Sequence, residues 1–201
     1  YLVRRVEALP IDLRLATPAD AAAVAAETPD HLVLAVGAEP IVPQIPGLAE
    51  AGALWAGDVF ANRVETGDSV LVVGAGGVGC ETALHLARKG KTVTLVEMLD
   101  EIALDVNAIN RPLLIDLLQQ EGVDIRIGCR AVAASPTGVT VERSEGAREE
   151  ILAQSIVLAT GMTPRSASLA ALQETAPRVS VVGDCVKPRL ITNAVSEGFE
   201  A

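Results

Sequence analysis

Three glycines and one acid in the middle of the chain have the types and spacing that phosphate binding requires. Gly74, Gly76 and Gly79 follow an apolar run in G-x-G-x-x-G spacing, and the acid, Glu97, ends the next apolar run. The first glycine allows a sharp turn out of a strand, the second lets a phosphate approach the backbone, and the third lets a helix pack closely on the sheet. The N–H groups and positive dipole end of that helix can hold phosphates without a lysine.

The elements that position these residues are a strand, a helix and a second strand. Residues 70–73 are apolar and mostly β-branched, residues 77–89 form an amphipathic segment that ends at Gly90, and residues 92–96 form the second strand. Together they predict the mononucleotide half of a dinucleotide-binding fold. A glycine turn of this kind can also serve geometry alone, without a ligand.

The acid at the end of the second strand indicates which coenzyme the fold would take. A carboxylate at Glu97 can accept hydrogen bonds from both ribose hydroxyls, and it would repel a 2′-phosphate. No arginine follows Glu97 closely in the sequence. The sequence therefore favours NADH over NADPH.

Composition excludes several other functions. The chain has 201 residues, a formal net charge of −10 and half its residues hydrophobic, which suits a layered α/β protein. An acidic chain without a basic cluster predicts no nucleic-acid partner, and no apolar run reaches the ~18 residues that span a bilayer, which predicts no membrane partner. The three cysteines, Cys80, Cys129 and Cys185, lie far apart, which predicts reduced thiols in a cytoplasmic protein and no metal site.

The pattern along the chain predicts two outer segments that flank one inserted domain. Residues 1–65 and 164–201 are expected to belong together, and residues 66–163 to form the inserted, glycine-turn domain. The absence of an initiator methionine and the helical pattern of the first residues suggest a piece of a longer protein. The other expected elements are strands at 11–15, 31–36, 123–127, 151–159 and 179–182, a linker at 38–50, helices at 19–27 and from 110 to 121, a hairpin at 130–143 and a final helix from 190.

Five motifs together resemble a known family. They are AVGAEP (35–40), GAGGVGCE (74–81), VE (96–97), ATGMTP (159–164) and GDCVKPR (183–189). In this order they resemble the two-dinucleotide flavoprotein disulfide reductase-like fold, in which an NADH domain is inserted within an FAD domain. The stretches around the second and fifth motifs are similar, more narrowly, to the C-terminal region of old-yellow-enzyme-like reductases such as 2-enoate reductase and 2,4-dienoyl-CoA reductase.

The resemblance implies an α/β fold in which a three-layer, Rossmann-like NAD-binding domain with a β-hairpin crossover is inserted in a partial FAD-type domain. The first βαβ unit of that FAD-type domain is missing, so FAD is expected to bind only in the intact protein. There the partner would be a β/α barrel with FMN and an iron–sulfur cluster. The expected cofactor-binding residues are Gly37, Gly74, Ala75, Gly76, Gly77, Val78, Gly79, Glu81, Glu97, Gly161, Gly183 and Asp184, with no catalytic residue and no metal ligand.

Two of these residues have a second interpretation. Glu81, in the first turns of the phosphate helix, would lie near the nicotinamide in the family, or it complements the helix dipole. Asp184 would contact the ribityl or pyrophosphate region of FAD, or it caps the end of a strand.

The resemblance predicts an NADH-binding module that passes hydride from NADH to FAD for reduction of an enoate-type substrate elsewhere in the full protein. The isolated chain is not expected to turn over substrate. A non-redox site for ADP, as in the related trimethylamine dehydrogenase group, and an assembly domain with a vestigial site are the alternatives. No cysteine pair such as C-x-x-C is present, which argues against disulfide reductase activity.

Overall fold

The computed structural model describes all 201 residues, which divide into two compact units. An outer unit comprises Tyr1–Glu39 and Thr163–Ala201, and an inserted unit comprises Pro40–Met162. The helices are α1 (Leu2–Glu7), α2 (Ala21–Glu27), α3 (Ala56–Phe60), α4 (Gly77–Arg88), α5 (Asn110–Gln120), α6 (Ser166–Leu172) and α7 (Ile191–Glu200). The strands are β1 (Leu32–Leu34), β2 (Ala38–Pro40), β3 (Leu54–Trp55), β4 (Ser69–Val73), β5 (Thr92–Val96), β6 (Asp124–Arg126), β7 (Cys129–Ser135), β8 (Gly138–Arg143), β9 (Arg148–Leu152), β10 (Ser155–Leu158), β11 (Met162–Pro164) and β12 (Val179–Val181).

The inserted unit is built on a five-stranded parallel sheet in the order β3-β10-β4-β5-β6. The central strand β4 pairs along its whole length with β5, from Ser69 opposite Thr92 to Val73 opposite Val96. Its four apolar residues are buried, as expected for a parallel strand covered on both faces. The carboxyl ends of β4 and β5 therefore lie side by side, which brings the glycine turn next to Glu97.

Two cores make this unit three layers thick. On one face of the sheet, Val70 and Val72 pack with apolar residues of α4 and α5. On the other face, Leu71 and Val73 pack with residues of a three-stranded antiparallel sheet, in the order β7-β8-β9. The alternation of β4 between the two cores follows from the two-residue period of a strand. This arrangement confirms the predicted α/β class, the three layers and the hairpin crossover.

The outer unit has less regular structure. Its strands β1 and β12 form a parallel pair, with Leu32 opposite Val179 and Leu34 opposite Val181. The helix α2 begins after Asp20, whose carboxylate accepts the N–H of Ala23 at 2.8 Å as an N-cap. No helix in either unit is long and apolar enough to cross a membrane.

The structure differs from the sequence prediction at four places. The inserted unit begins at Pro40 instead of residue 66, because β3 hydrogen-bonds β10 and so joins the central sheet. Residues 11–15 form no strand, and residues 38–40, expected in a linker, form β2, which pairs with β11. The strand expected at 151–159 is two strands in different sheets, β9 and β10, which are separated by Ala153 and Gln154.

Candidate nucleotide-binding site

A cleft of about 850 Å³ opens at the carboxyl ends of β4, β5 and β10 in the inserted unit. This is the edge of a parallel sheet at which α/β proteins bind ligands. Its volume lies in the range of about 300–1,000 Å³ that small-molecule and cofactor sites occupy. Five residues predicted from the sequence line the cleft: Gly74, Gly76, Val78, Glu97 and Gly161.

The glycine turn has the geometry that its spacing predicts. Gly74 has φ +98°, and a Cβ there would lie 2.6 Å from the carbonyl oxygen of Ala159 on the neighbouring strand end. Gly76 is the N-cap of α4 and has extended backbone, so the helix begins at the cleft. A Cβ on Gly79 would lie 1.8 Å from the carbonyl oxygen of Gly74, so only glycine allows the helix to approach the turn this closely.

The carboxylate of Glu97 ties the second strand to the glycine turn. Its Oε2 accepts the N–H of Ala75 at 2.7 Å, and its Oε1 accepts the N–H of Leu99 at 3.0 Å. These two bonds from backbone amides fix the carboxylate at the wall of the cleft. Each oxygen keeps a further lone pair, so the carboxylate can also accept from a ligand hydroxyl.

Four other residues predicted around the turn do not line the cleft. Ala75 is buried and holds Glu97 through its N–H, and Gly79 is buried where α4 meets the turn. Gly77 donates its N–H to Oδ1 of Asp105 at 2.7 Å. Glu81 is exposed on α4 and is not among the residues that line the cleft, so the structure does not bring it together with the others.

Three lining residues come from parts of the chain that local motifs do not reach. Trp55, at the end of β3, covers Gly57 with its ring and lines the cleft. Arg130, on β7, lines it and forms an ion pair with Glu142 at 2.8 Å. The pKa of the Glu142 carboxyl is lowered by its hydrogen bonds from Arg130 and Arg148. Arg130 could not be recognised from the sequence, because it lies far from Glu97 along the chain.

The third of them is Asp105, which follows β5 in the loop 97–109. Its carboxylate accepts the Gly77 N–H at the N-terminus of α4, and it lines the cleft. The spacing predicts that the N–H groups at the start of this helix can hold phosphates, whereas the N–H of Gly77 already donates to the carboxylate of Asp105. Nothing in the sequence pattern marks Asp105, because the loop that carries it has no regular structure.

The three residues predicted for the outer unit lie together in a second, smaller cleft. Gly37, Gly183 and Asp184 line a space of about 240 Å³, with Arg189 and the first residues of α7. The Gly183 N–H donates to Oε2 of Glu197 at 2.7 Å. This bond, and then the ion pair with Arg189, lower the pKa of the Glu197 carboxyl.

The two clefts differ in how well they fit a dinucleotide. The larger one offers a backbone surface without a Cβ atom at Gly76, a helix N-terminus and the acid Glu97 in its wall, which fits NADH. The smaller one is below the usual volume of a cofactor site, and the amide of its glycine is engaged by Glu197. The residues of the outer unit therefore fit only a part of FAD.

The cysteines are not arranged for chemistry. All three are buried, and burial, followed by the charge of Asp105, raises the pKa of the Cys80 thiol to about 12. The position of Cys80 in the first turn of α4 does not lower its pKa, because desolvation outweighs the helix dipole. The ring of His85 lies 5.1 Å from that of Phe60, and His85 is not among the residues that line the cleft.

Thiol labelling provides a direct check. We expect the folded protein to react with less than about one equivalent of iodoacetamide or a disulfide reagent at pH 8, and with three equivalents after unfolding. Rapid labelling of Cys80 in the folded protein would contradict the burial of this thiol. The measurement is a mass spectrum of the labelled protein.

Comparisons with known proteins agree with this geometry. The sequence profile of pyridine nucleotide-disulphide oxidoreductases matches residues 14–198. The chain is 38% identical over 198 residues to an NADH oxidase of Thermoanaerobacter brockii, which covers 94% of this chain and 30% of the relative. It is 35% identical over 202 residues to a bilirubin reductase of Mediterraneibacter gnavus, which covers 100% of this chain and 31% of the relative.

A solved structure of 2-naphthoyl-CoA reductase in complex with 2-naphthoyl-CoA superposes with a TM-score of 0.93 at 30% identity, and the match covers 100% of this chain and 30% of that one. The chain thus spans about a third of the length of these relatives. The matches indicate NADH and FAD as the cofactor pair, as the sequence predicts. With a glycine turn, an acid and a cleft in the arrangement described, this chain belongs to the pyridine nucleotide-disulphide oxidoreductase family.

Proposed function

We propose that the inserted unit binds NADH in the larger cleft, with the pyrophosphate at the N-terminus of α4 and the adenosine ribose at Glu97. One observation carries the proposal: the carboxylate of Glu97 is held by the amide of Ala75 and lines the same cleft as Gly76. A carboxylate and a Cβ-free backbone beside a helix N-terminus are complementary to a ribose diphosphate. Gly74, Gly77, Val78 and Gly79 shape this surface, and Gly161 also lines the cleft.

In the intact protein, we propose that NADH supplies a hydride to FAD for the reduction of an enoate-type substrate in the cytoplasm. This chain would contribute the binding and orientation of NADH, and through Gly37, Gly183 and Asp184 a part of the FAD site. The names of the relatives, an NADH oxidase, a bilirubin reductase and a 2-naphthoyl-CoA reductase, support an NADH-dependent reductase. The barrel with FMN and an iron–sulfur cluster, which the resemblance implies, would hold the substrate site outside this chain.

The single tryptophan offers a direct test of NADH binding. Because Trp55 lines the cleft, its emission should be quenched by energy transfer to bound NADH. We expect saturable quenching with a Kd below about 1 mM, and displacement of NADH by ADP. No binding of NADH or ADP, in either fluorescence or calorimetry, would reject the proposal.

A second experiment separates a redox role from a site that only holds ADP. Full-length protein that oxidises NADH when FAD is present, and loses this activity on Glu97→Ala, would support hydride transfer. Full-length protein that binds ADP in the cleft but never oxidises NADH would instead support a structural nucleotide. Both roles need the same phosphate-binding turn, so binding alone does not distinguish them.

A further inference from the structure

The carboxylate of Asp105 lies where the glycine turn leaves room for a phosphate. Its Oδ1 accepts the Gly77 N–H at 2.7 Å, at the first residue of α4. A Cβ built on Gly76 would lie 3.3 and 3.4 Å from the two oxygens of Asp105. The side chain that faces the bare backbone of Gly76 is therefore already an anion.

The loop that carries Asp105 is held by a backbone bond and buried residues, whereas its exposed side chain makes a single hydrogen bond. The N–H of Ala103 donates to the carbonyl oxygen of Ala75 at 2.7 Å, and both Ile102 and Ala103 are buried. Two residues further on, Asp105 is exposed and belongs to none of the ion pairs of the chain. Only the bond to Gly77 holds the carboxylate over the turn, and a rotation of one side chain would remove it.

Charge makes this rotation necessary for a nucleotide to bind. The cleft holds two carboxylates, Glu97 and Asp105, and its lining cation, Arg130, is already paired with Glu142. A diphosphate adds two negative charges at the helix N-terminus, where only one anion can accept the Gly77 N–H. Glu97 is tied by two amides, so Asp105 is the acid that can leave.

We propose that Asp105 is an affinity-determining residue of the nucleotide site. It acts as a tethered anion that competes with the diphosphate of NADH or ADP for the N-terminus of α4. The inference rests on the proposed NADH site and adds a prediction to it. Asp105 weakens the binding of ligands that carry the phosphates, such as ADP, and does not weaken the binding of the nucleoside adenosine. Without nucleotide, the carboxylate of Asp105 interacts with the positive end of the helix dipole. With nucleotide bound, the phosphates take over this interaction.

The test compares the Asp105→Asn variant with the wild-type 201-residue chain. Asparagine keeps an oxygen that can accept the Gly77 N–H, and it removes the charge. We expect ADP to bind about 5- to 10-fold more tightly, as for the loss of one repelling charge at short range, and adenosine to bind with unchanged affinity. Both affinities are measured by calorimetry and by displacement of bound NADH, which restores the fluorescence of Trp55.

Two further variants complete the experiment. Asp105→Ala removes the acceptor as well as the charge and should also tighten ADP binding. Asp100→Asn is the matched control, because Asp100 is an exposed acid in the same loop that does not line the cleft. It should leave the affinity for ADP within about twofold, since the charge of an exposed side chain outside the cleft is largely screened.

The outcomes separate this inference from the proposed function. If the wild-type chain binds ADP and Asp105→Asn leaves that affinity unchanged or weaker, the inference is wrong and the NADH site stands. Equal tightening of ADP and adenosine would also reject it, because competition with phosphate cannot affect a nucleoside. If neither the wild type nor the Asp105 variants bind ADP, the NADH site itself is rejected, and the inference with it.

Discussion

Gly79→Ala is expected to cost the inserted unit more than about 4 kcal/mol of its free energy of unfolding, a loss in the range that only severe steric or packing defects produce. The added Cβ would lie 1.8 Å from the carbonyl oxygen of Gly74 and 3.3 Å from the Cβ of Ala159. The first of these atoms belongs to the backbone of the glycine turn, so α4 would have to move away from the sheet. The core that Cys80, Ala83 and Leu84 form beneath the helix would then lose its close packing.

The same single atom added at Gly90 provides the control. Gly90 ends the same helix with φ +79°, and a Cβ there would have no neighbour within 4 Å. Gly90→Ala should therefore cost only the ~1–2 kcal/mol of a left-handed alanine. Thermal unfolding followed by Trp55 fluorescence should show a Tm at least about 10 °C lower for Gly79→Ala than for the wild type. Equal losses for the two variants would contradict the close approach of helix and turn.

The glycine turn and its acid could be predicted because the residues that form them lie close together along the chain. Gly74, Gly76 and Gly79 belong to one strand, one turn and one helix, and Glu97 follows the next strand, so a spacing rule connects all four. The hairpin at β7 and β8 was predicted correctly for the same reason, since Pro136 and Gly138 mark its turn. Each of these predictions depends on neighbours within about thirty residues.

The rest of the site depends on contacts between residues far apart along the chain, which no local sequence pattern predicts. Trp55 reaches the cleft because β3 pairs with β10, about a hundred residues later, and Arg130 reaches it because β7 packs under the central sheet. The early boundary of the inserted unit has the same origin. A strand of two residues, such as β3, has too little periodicity to be recognised.

Asp105 was not predicted from the sequence, because its position depends on the conformation of a loop. Asp105 follows Ala103, a buried residue with φ +54°, in a segment without a helix or strand. The helix α5 is likewise started by Asn107, whose side chain accepts the N–H groups of Ile109 and Asn110 at 3.1 and 2.9 Å. No periodic pattern encodes such positions, so their roles became visible only in three dimensions.

The second large effect is expected for Glu97→Arg, which should lower the ratio of the Kd of NADPH to that of NADH by about 100-fold. Arginine cannot accept the N–H groups of Ala75 and Leu99, so two amides at the site lose their partner. It also replaces an acid that repels a 2′-phosphate with a cation that can bind one, beside Arg130 in the same cleft. The lost repulsion and the gained charge-assisted bonds together amount to about 3 kcal/mol.

The ratio is informative because general damage cancels from it. Both coenzymes use the same turn and the same helix, so a loosened site weakens them equally, and only the contact at the 2′ position separates them. The control is Asp100→Arg, three residues after Glu97, which makes the same change of charge at a residue that does not line the cleft. If it shifted the ratio as far as Glu97→Arg, the preference for NADH would come from the overall field of an acidic protein. A shift confined to residue 97 would instead place the ribose at that carboxylate.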